Sequence, residues 1–282
     1  MKIENFILII GAMKCGTTTL FDLLAQHPEI CPCKIKEPGF FAFEDRWAEG
    51  YGWYESLFDF DAQSHRYALD ASTDYTKFPF ASGVVERLDK SVPRRFKLIY
   101  IVRDPIDRIE SHARHTQLTR KELGQTISPR SDHSLDVGVS PVSLATSRYT
   151  HQLQQYRRQL DSGELLVITL DDISERPKHT LDRIWDFLDL VSFEDQRFLS
   201  SNEFRKRREM PDSIKLVRRL IPFRKQFRSV FGQETTERFI HFWLRPPQID
   251  GRFQFTEKER LDLEALYYAE YELLNQLQRQ GD

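Results

Sequence analysis

Three stretches of the chain are apolar without alternation: Phe6-Ile-Leu-Ile-Ile10, Lys97-Leu-Ile-Tyr-Ile-Val102 after its first residue, and Leu165-Leu-Val-Ile-Thr-Leu170. A strand covered on one face alternates apolar and polar residues, and a strand covered on both does not. These runs therefore predict central strands of a parallel sheet. Between them the apolar spacing lengthens to that of helices. Leu20, Phe21, Leu23 and Leu24 follow Thr18 at helical spacing until His27-Pro28 stops them. Asp104-Pro105 supplies an N-cap and a first-turn proline for a helix to about Gln117. Further helices are predicted from about Ser143 to Leu160, from Lys178 to Leu190, and for roughly twenty residues from Thr256.

Strands alternating with helices imply an α/β fold, here a P-loop-like three-layer fold with a central parallel sheet flanked by helices. No repeat and no shift in composition sets a boundary, so residues 1–282 are expected to form a single domain, with 203–282 mainly helical. Ser, Thr, Gly, Pro and charged residues fill positions 119–141, which predicts a mobile loop that shapes a substrate pocket.

Composition narrows the function by exclusion. With 40% hydrophobic and 30% charged residues the chain is an ordinary folded protein, and a net charge of −2 offers no overall attraction to nucleic acid or anionic membranes. Any anion must be held by a local arrangement of donors. No stretch approaches the ~20 apolar residues of a membrane span, and the motif-bearing strand starts almost at Met1, so neither stem nor anchor is expected. Cys15, Cys31 and Cys33 are too few and too clustered for a disulfide framework, which makes the cytoplasm the expected compartment. No metal site is expected, because Cys31-Pro-Cys33 lacks the second pair of ligands that zinc requires.

The first predicted strand runs into Gly11-Ala-Met-Lys14-Cys-Gly16-Thr17-Thr18-Thr19. Its glycines are spaced as in a phosphate-cradling loop, but Thr17 stands where the nucleoside-triphosphate motif needs lysine. The lysine has moved into the loop at Lys14, and hydroxyls line the start of a helix, whose unpaired N–H groups favour an anion. A second anion site is predicted at the end of the second strand, where Arg103 precedes the helix cap and Ser111 follows on that helix. A guanidinium and a hydroxyl at that spacing can converge on one phosphate. Two anion sites at the ends of parallel strands suit a nucleotide phosphorylated at both 3′ and 5′ positions.

Lys14-Cys-Gly-Thr-Thr18 resembles the 5′-phosphosulfate loop of the sulfotransferases that use 3′-phosphoadenosine 5′-phosphosulfate (PAPS), and Arg103 to Ser111 resembles their 3′-phosphate motif. Lys36-Glu37-Pro-Gly-Phe-Phe41 and Gly52-Trp-Tyr-Glu-Ser-Leu-Phe58 resemble segments of the glycan, heparan-type branch and of bacterial sulfotransferase-domain proteins. The resemblance covers roughly the first 190 residues. It implies PAPS as sulfuryl donor, PAP as product, no metal, and a small-molecule or glycan acceptor with a hydroxyl or amine. It also implies that Lys14 stabilises the leaving phosphate, that Gly16, Thr17, Thr18, Thr19, Arg103 and Ser111 bind the nucleotide, and that Glu37 is the catalytic base.

Leu69-Asp-Ala-Ser-Thr-Asp-Tyr75 departs from the glycan branch, since Ala71 replaces its lysine, and heparan-type acceptor chemistry is not carried over. Asp70 is the second choice of base. Phe40, Phe41, Trp53 and Tyr54 are expected to pack rather than bind substrate, and His112 and His115 to be structural. Arg205-Lys-Arg-Arg208 reads as a solvated basic face. Two rival readings remain: a P-loop kinase with Asp104 holding Mg²⁺ for ATP, and a nucleotide-binding module without catalysis.

Overall fold

The computed structural model describes residues 2–122, 139–192 and 254–281. Five strands, β1 (Asn5–Gly11), β2 (Ile30–Pro32), β3 (Tyr67–Ala71), β4 (Arg95–Val102) and β5 (Leu165–Thr169), form one sheet in the order β2-β3-β1-β4-β5. Every pairing is parallel, with Leu8 of β1 opposite Asp70 of β3 on one side and Leu98 of β4 on the other. Helices flank the sheet, as expected of the α/β class. Before β4 these are α1 (Thr17–Leu24), α2 (Glu44–Ala48), α3 (Gly50–Ser56) and α4 (Val84–Asp89). Between β4 and β5 lie α5 (Pro105–Glu122), α6 (Pro141–Thr146), α7 (Tyr149–Gln154) and α8 (Arg157–Asp161). After β5 come α9 (Leu170–Glu175) and α10 (Pro177–Leu188), and near the C-terminus α11 (Glu257–Leu266) and α12 (Tyr268–Gly281).

Phe6–Ile10 and Leu98–Val102 are wholly buried, which is why neither run alternates. The described residues fall almost entirely in one compact unit made of 1–114, 128–198 and 254–282. A second unit comprises 115–127 and 199–253, and its described part is the helical end of α5.

Several expected elements differ. β2 and β3 are absent from the sequence expectation, because β2 is three residues ending in proline and β3 carries Asp70 inside its apolar run. The helix expected over 143–160 is three short ones. Its side chains are claimed by tertiary partners: Ser147 Oγ by Arg108, Gln152 by both backbone groups of Phe78, and Tyr156 Oη by the Tyr75 carbonyl. The last helix breaks at Tyr267, whose hydroxyl donates to the Leu144 carbonyl at 2.9 Å. α5 continues to Glu122, beyond the end expected near Gln117. Apart from that helix end and residues 139–141, the expected loop at 119–141 lies outside the described residues, as do Arg205–Arg208 and the rest of 203–253.

Gly11, where β1 ends, has φ 150°, and a Cβ added there would stand 2.0 Å from Thr76 Oγ1, which donates to the Ile10 carbonyl. Gly11→Ala is therefore expected to lower stability by about 1–3 kcal/mol through overpacking. The urea midpoint measures this, and an unchanged midpoint would show that Thr76 gives way freely.

Candidate functional site

The glycine loop joins β1 to α1 by a tight path. The Cys15 amide donates to the Ala12 carbonyl at 3.1 Å, and Lys14 takes a left-handed backbone with φ 73°. Gly16 follows at φ 94° and ends the loop as the N-cap of α1. A Cβ at Gly16 would meet Leu170 Cδ1 at 2.8 Å, so both conformation and space call for glycine. Among the described residues no side chain caps α1, which leaves its leading N–H groups suited to a bound anion. Thr17 is buried at this first turn, Thr18 is exposed, and Lys14, Gly16 and Thr19 are half-buried.

The second motif sits beside the first. The Ala12 amide donates to the Ile101 carbonyl at 2.8 Å, which ties the glycine loop to the end of β4 two residues before Arg103. Cys15 lies against the Arg103 backbone, and burial raises its thiol pKa despite the nearby Arg108 and Arg103 charges. Arg103 Nη2 is 3.3 Å from Asp107 Oδ2, and Ser111 is half-buried on the same helix. Asp104 is the α5 cap: its Oδ1 accepts from the Asp107 amide at 2.7 Å and its Oδ2 from Tyr271 Oη at 2.9 Å.

Glu37 is positioned from β3. Its backbone is left-handed at φ 53°, and Thr73 Oγ1 donates to its Oε2 at 3.3 Å. Two residues on, the Gly39 amide donates to Ser72 Oγ at 3.0 Å, and Ser72 Oγ donates in turn to Asp70 Oδ1 at 2.7 Å. Asp70 Oδ2 accepts from Tyr54 Oη at 2.8 Å and Tyr75 Oη at 2.7 Å. Phe40 and Phe41 are wholly buried, and Phe40 stacks on Tyr54 with ring centroids 4.3 Å apart. The loop carrying Glu37 is thus pinned by Asp70 and by an aromatic core.

Three motifs converge at the carboxyl ends of adjacent strands: Glu37 held from β3, Lys14 after β1, and Arg103 after β4. The fold brings both sequence-derived anion motifs together. Asp70, the alternative base, is wholly buried with both oxygens occupied, so it organises the site without a face open to an acceptor. His112 is buried beside Arg108. The roles of Ser72, Thr73, Thr76 and Arg108 escaped the sequence, and the one signal of this framework was a carboxylate within the apolar run Tyr67–Ala71.

A family model described as the sulfotransferase domain matches residues 4–239. The chain is 26% identical over 199 residues to human bifunctional heparan sulfate N-deacetylase/N-sulfotransferase 2, a match covering 66% of this chain and 22% of that protein. It is 26% identical over 187 residues to mouse heparan sulfate glucosamine 3-O-sulfotransferase 3A1, covering 65% of this chain and 45% of that one. The chain thus matches less than half the length of these curated relatives. A sulfotransferase structure from Alicyclobacillus acidocaldarius shares the fold with a TM-score of 0.52 at 23% identity, over 86% of this chain and 97% of that one.

Burial pushes the Asp70 carboxyl up to about 6 from the usual 3.8, against the opposing pull of its three hydroxyl donors. The folded protein then holds the Asp70 proton more tightly than the unfolded chain. Its contribution to stability is complete below pH 3.8 and is lost as pH rises through about 6. Between those values the wild type is expected to lose on the order of 2–3 kcal/mol relative to Asp70→Asn. Urea melts of both proteins at each end of this range measure the change; a constant difference would mean that Asp70 titrates as an ordinary carboxyl.

Proposed function

The chain belongs to the sulfotransferase domain family, and from that membership we propose that it transfers the sulfuryl group of PAPS to an acceptor hydroxyl or amine by in-line displacement. The observation that carries the proposal is the joining of the glycine loop to the end of β4 through Ala12 and Ile101, which brings the two candidate anion-binding motifs side by side at the sheet's carboxyl edge. The residues fit the donor. The uncapped start of α1 with Lys14 suits its 5′-phosphosulfate, with Gly16, Thr17, Thr18 and Thr19 as further contacts. Arg103 and Ser111 suit its 3′-phosphate.

PAPS supplies a sulfur centre whose bond to the phosphate breaks as the bond to the acceptor forms. Lys14 stabilises the charge that appears on the departing phosphate oxygen. Glu37 takes the acceptor proton: Thr73 holds its Oε2, while Oε1 has no protein hydrogen bond among the described residues. The acceptor is proposed as a small molecule or a glycan. The names of the curated relatives favour a glycan, and Ala71 in place of the glycan branch's lysine argues against their acceptor chemistry. A kinase reading is disfavoured because the Asp104 oxygens already serve the α5 cap and Tyr271. The three free, buried cysteines support a reducing compartment such as the cytoplasm. Among the described residues no helix is long and apolar enough to cross a membrane.

Calorimetry in EDTA is expected to show PAP binding, with ADP and ATP binding poorly; tight ATP binding that requires Mg²⁺ would overturn the proposal. Arg103→Ala is expected to weaken PAP by about 1.5–3 kcal/mol while changing adenosine 5′-phosphate little. Equal losses for both ligands would make Arg103 structural.

Glu37 and Lys14 differ in what their loss removes. Glu37→Gln keeps the shape of the side chain and its Thr73 contact, so PAP binding and melting temperature should hold while turnover falls by ~10²–10⁴-fold. Lys14→Ala should lose turnover and PAP affinity together, because the lysine meets the donor in both ground and transition states. Near-normal turnover of Glu37→Gln on a competent acceptor would place the base elsewhere.

A further inference from the structure

Arg108, on α5, has no solvent exposure. Its Nη1 donates to the Ser143 carbonyl and to Ser147 Oγ, each at 2.8 Å, and its Nη2 lies 3.4 Å from His112 Nδ1. Its Nε has no hydrogen-bond partner among the described residues. None of these acceptors is a carboxylate, and among the described residues Arg108 forms no ion pair. Other arginines of the chain differ: Arg94 meets Glu55 at 2.7 Å, and Arg260 meets Asp107 at 3.0 Å and Glu110 at 3.3 Å. A guanidinium stays charged in any protein environment. Burying one without a counter-charge is the most costly way to place it, unless something outside the folded chain supplies the missing charge.

The surroundings of Arg108 point to that supply. Cys15 lies at the centre of the glycine loop, with its sulfur 3.7 Å from Tyr149 Oη. Arg108 exerts its field on Cys15, Tyr149, Tyr100 and Tyr267, four buried groups kept protonated by burial, so none supplies negative charge. The uncompensated cation therefore stands behind the loop whose front face offers N–H groups and Lys14. A charge separated from an anion by packed protein acts through a low dielectric and is screened far less than a surface lysine.

We propose that the counter-charge of Arg108 is the bound donor nucleotide. Arg108 is a positioning residue that strengthens anion binding from behind the glycine loop without touching the ligand. The inference rests on the donor site proposed above and adds to it a cation that the loop motif does not contain.

The test uses the full chain, PAP as the probe, and two substitutions that separate charge from hydrogen bonding. Arg108→Met keeps much of the volume and removes the charge. It is expected to leave the melting temperature of the unliganded protein level or raised, as replacement of buried ionic groups by apolar ones often does, and to weaken PAP by about tenfold in calorimetry. Arg108→Lys keeps the charge but not the forked hydrogen bonds. It is expected to melt lower and still bind PAP within about threefold of wild type. PAP affinity that follows melting temperature instead of charge would overturn the inference and make Arg108 a tie between α5 and α6; if Arg108→Met does not fold, a folded Arg108→Lys that has lost PAP tenfold does the same. Failure of the wild type to bind PAP would overturn the donor site itself, and the inference with it, which distinguishes the two failures.

Discussion

A carboxylate excluded from water must have its lone pairs answered from within the protein, and at Asp70 the answers come from two separate parts of the chain. Tyr54 comes from α3, and Ser72 and Tyr75 come from the short turn that follows β3. Each hydroxyl also belongs to something else. The Tyr54 ring stacks on Phe40, Ser72 accepts from the Gly39 amide, and Tyr75 packs against Phe41. One buried charge thereby fixes the loop carrying Glu37 relative to β3, and β3 is fixed to β1 by parallel pairing. Losing any one hydroxyl would leave a desolvated oxygen underserved, so the network holds as a unit.

The candidate anion site depends on a similar economy of position. Net charge gives the protein no general affinity for a phosphorylated ligand, and each cation near the sheet edge is placed differently. Lys14 sits within the loop, Arg108 is buried with no ion pair among the described residues, and Arg103 is held by Asp107. Asp107 also receives Arg260 from α11 at 3.0 Å, so it is never left alone if Arg103 turns toward a phosphate. An arginine with a shared partner can exchange one oxyanion for another at little cost, which suits the reversible binding of the proposed nucleotide.

Most of the residues proposed for the anion site were legible in the sequence, and most of what supports them was not. The long buried strands β1 and β4 announce themselves through unbroken apolar runs, and each is followed at once by residues whose chemistry needs no tertiary information: glycines, a lysine and hydroxyls after β1, an arginine and a helix cap after β4. Glu37 was legible only by resemblance, since Lys36-Glu37 before a proline looks like any solvated pair. What positions it lies far away in sequence, in Ser72 and Thr73, just after a strand too short and too interrupted by Asp70 to be read as one. The 143–160 region failed for the complementary reason. Its local pattern is helical, and hydrogen bonds to Arg108, Phe78 and Tyr75 break it.

The two residues proposed for the chemistry share a backbone property that composition and motif do not reveal. Lys14 and Glu37 both lie in left-handed conformations, at φ 73° and 53°, where a side chain costs about 1–2 kcal/mol. Such conformations persist only where the surroundings over-determine them. At Lys14 the turn from Cys15 to Ala12 and the bond from Ala12 to Ile101 close the path on either side. At Glu37 the following residues are locked by Ser72 and by the buried rings of Phe40 and Phe41. The strain is imposed from two frameworks, one built on β4 and the other on Asp70, and both are tied to β1 by parallel pairing. Each side chain is therefore aimed by rigid structure around its backbone, and the shared strand keeps the proposed binding group and the proposed base in fixed relation to one another.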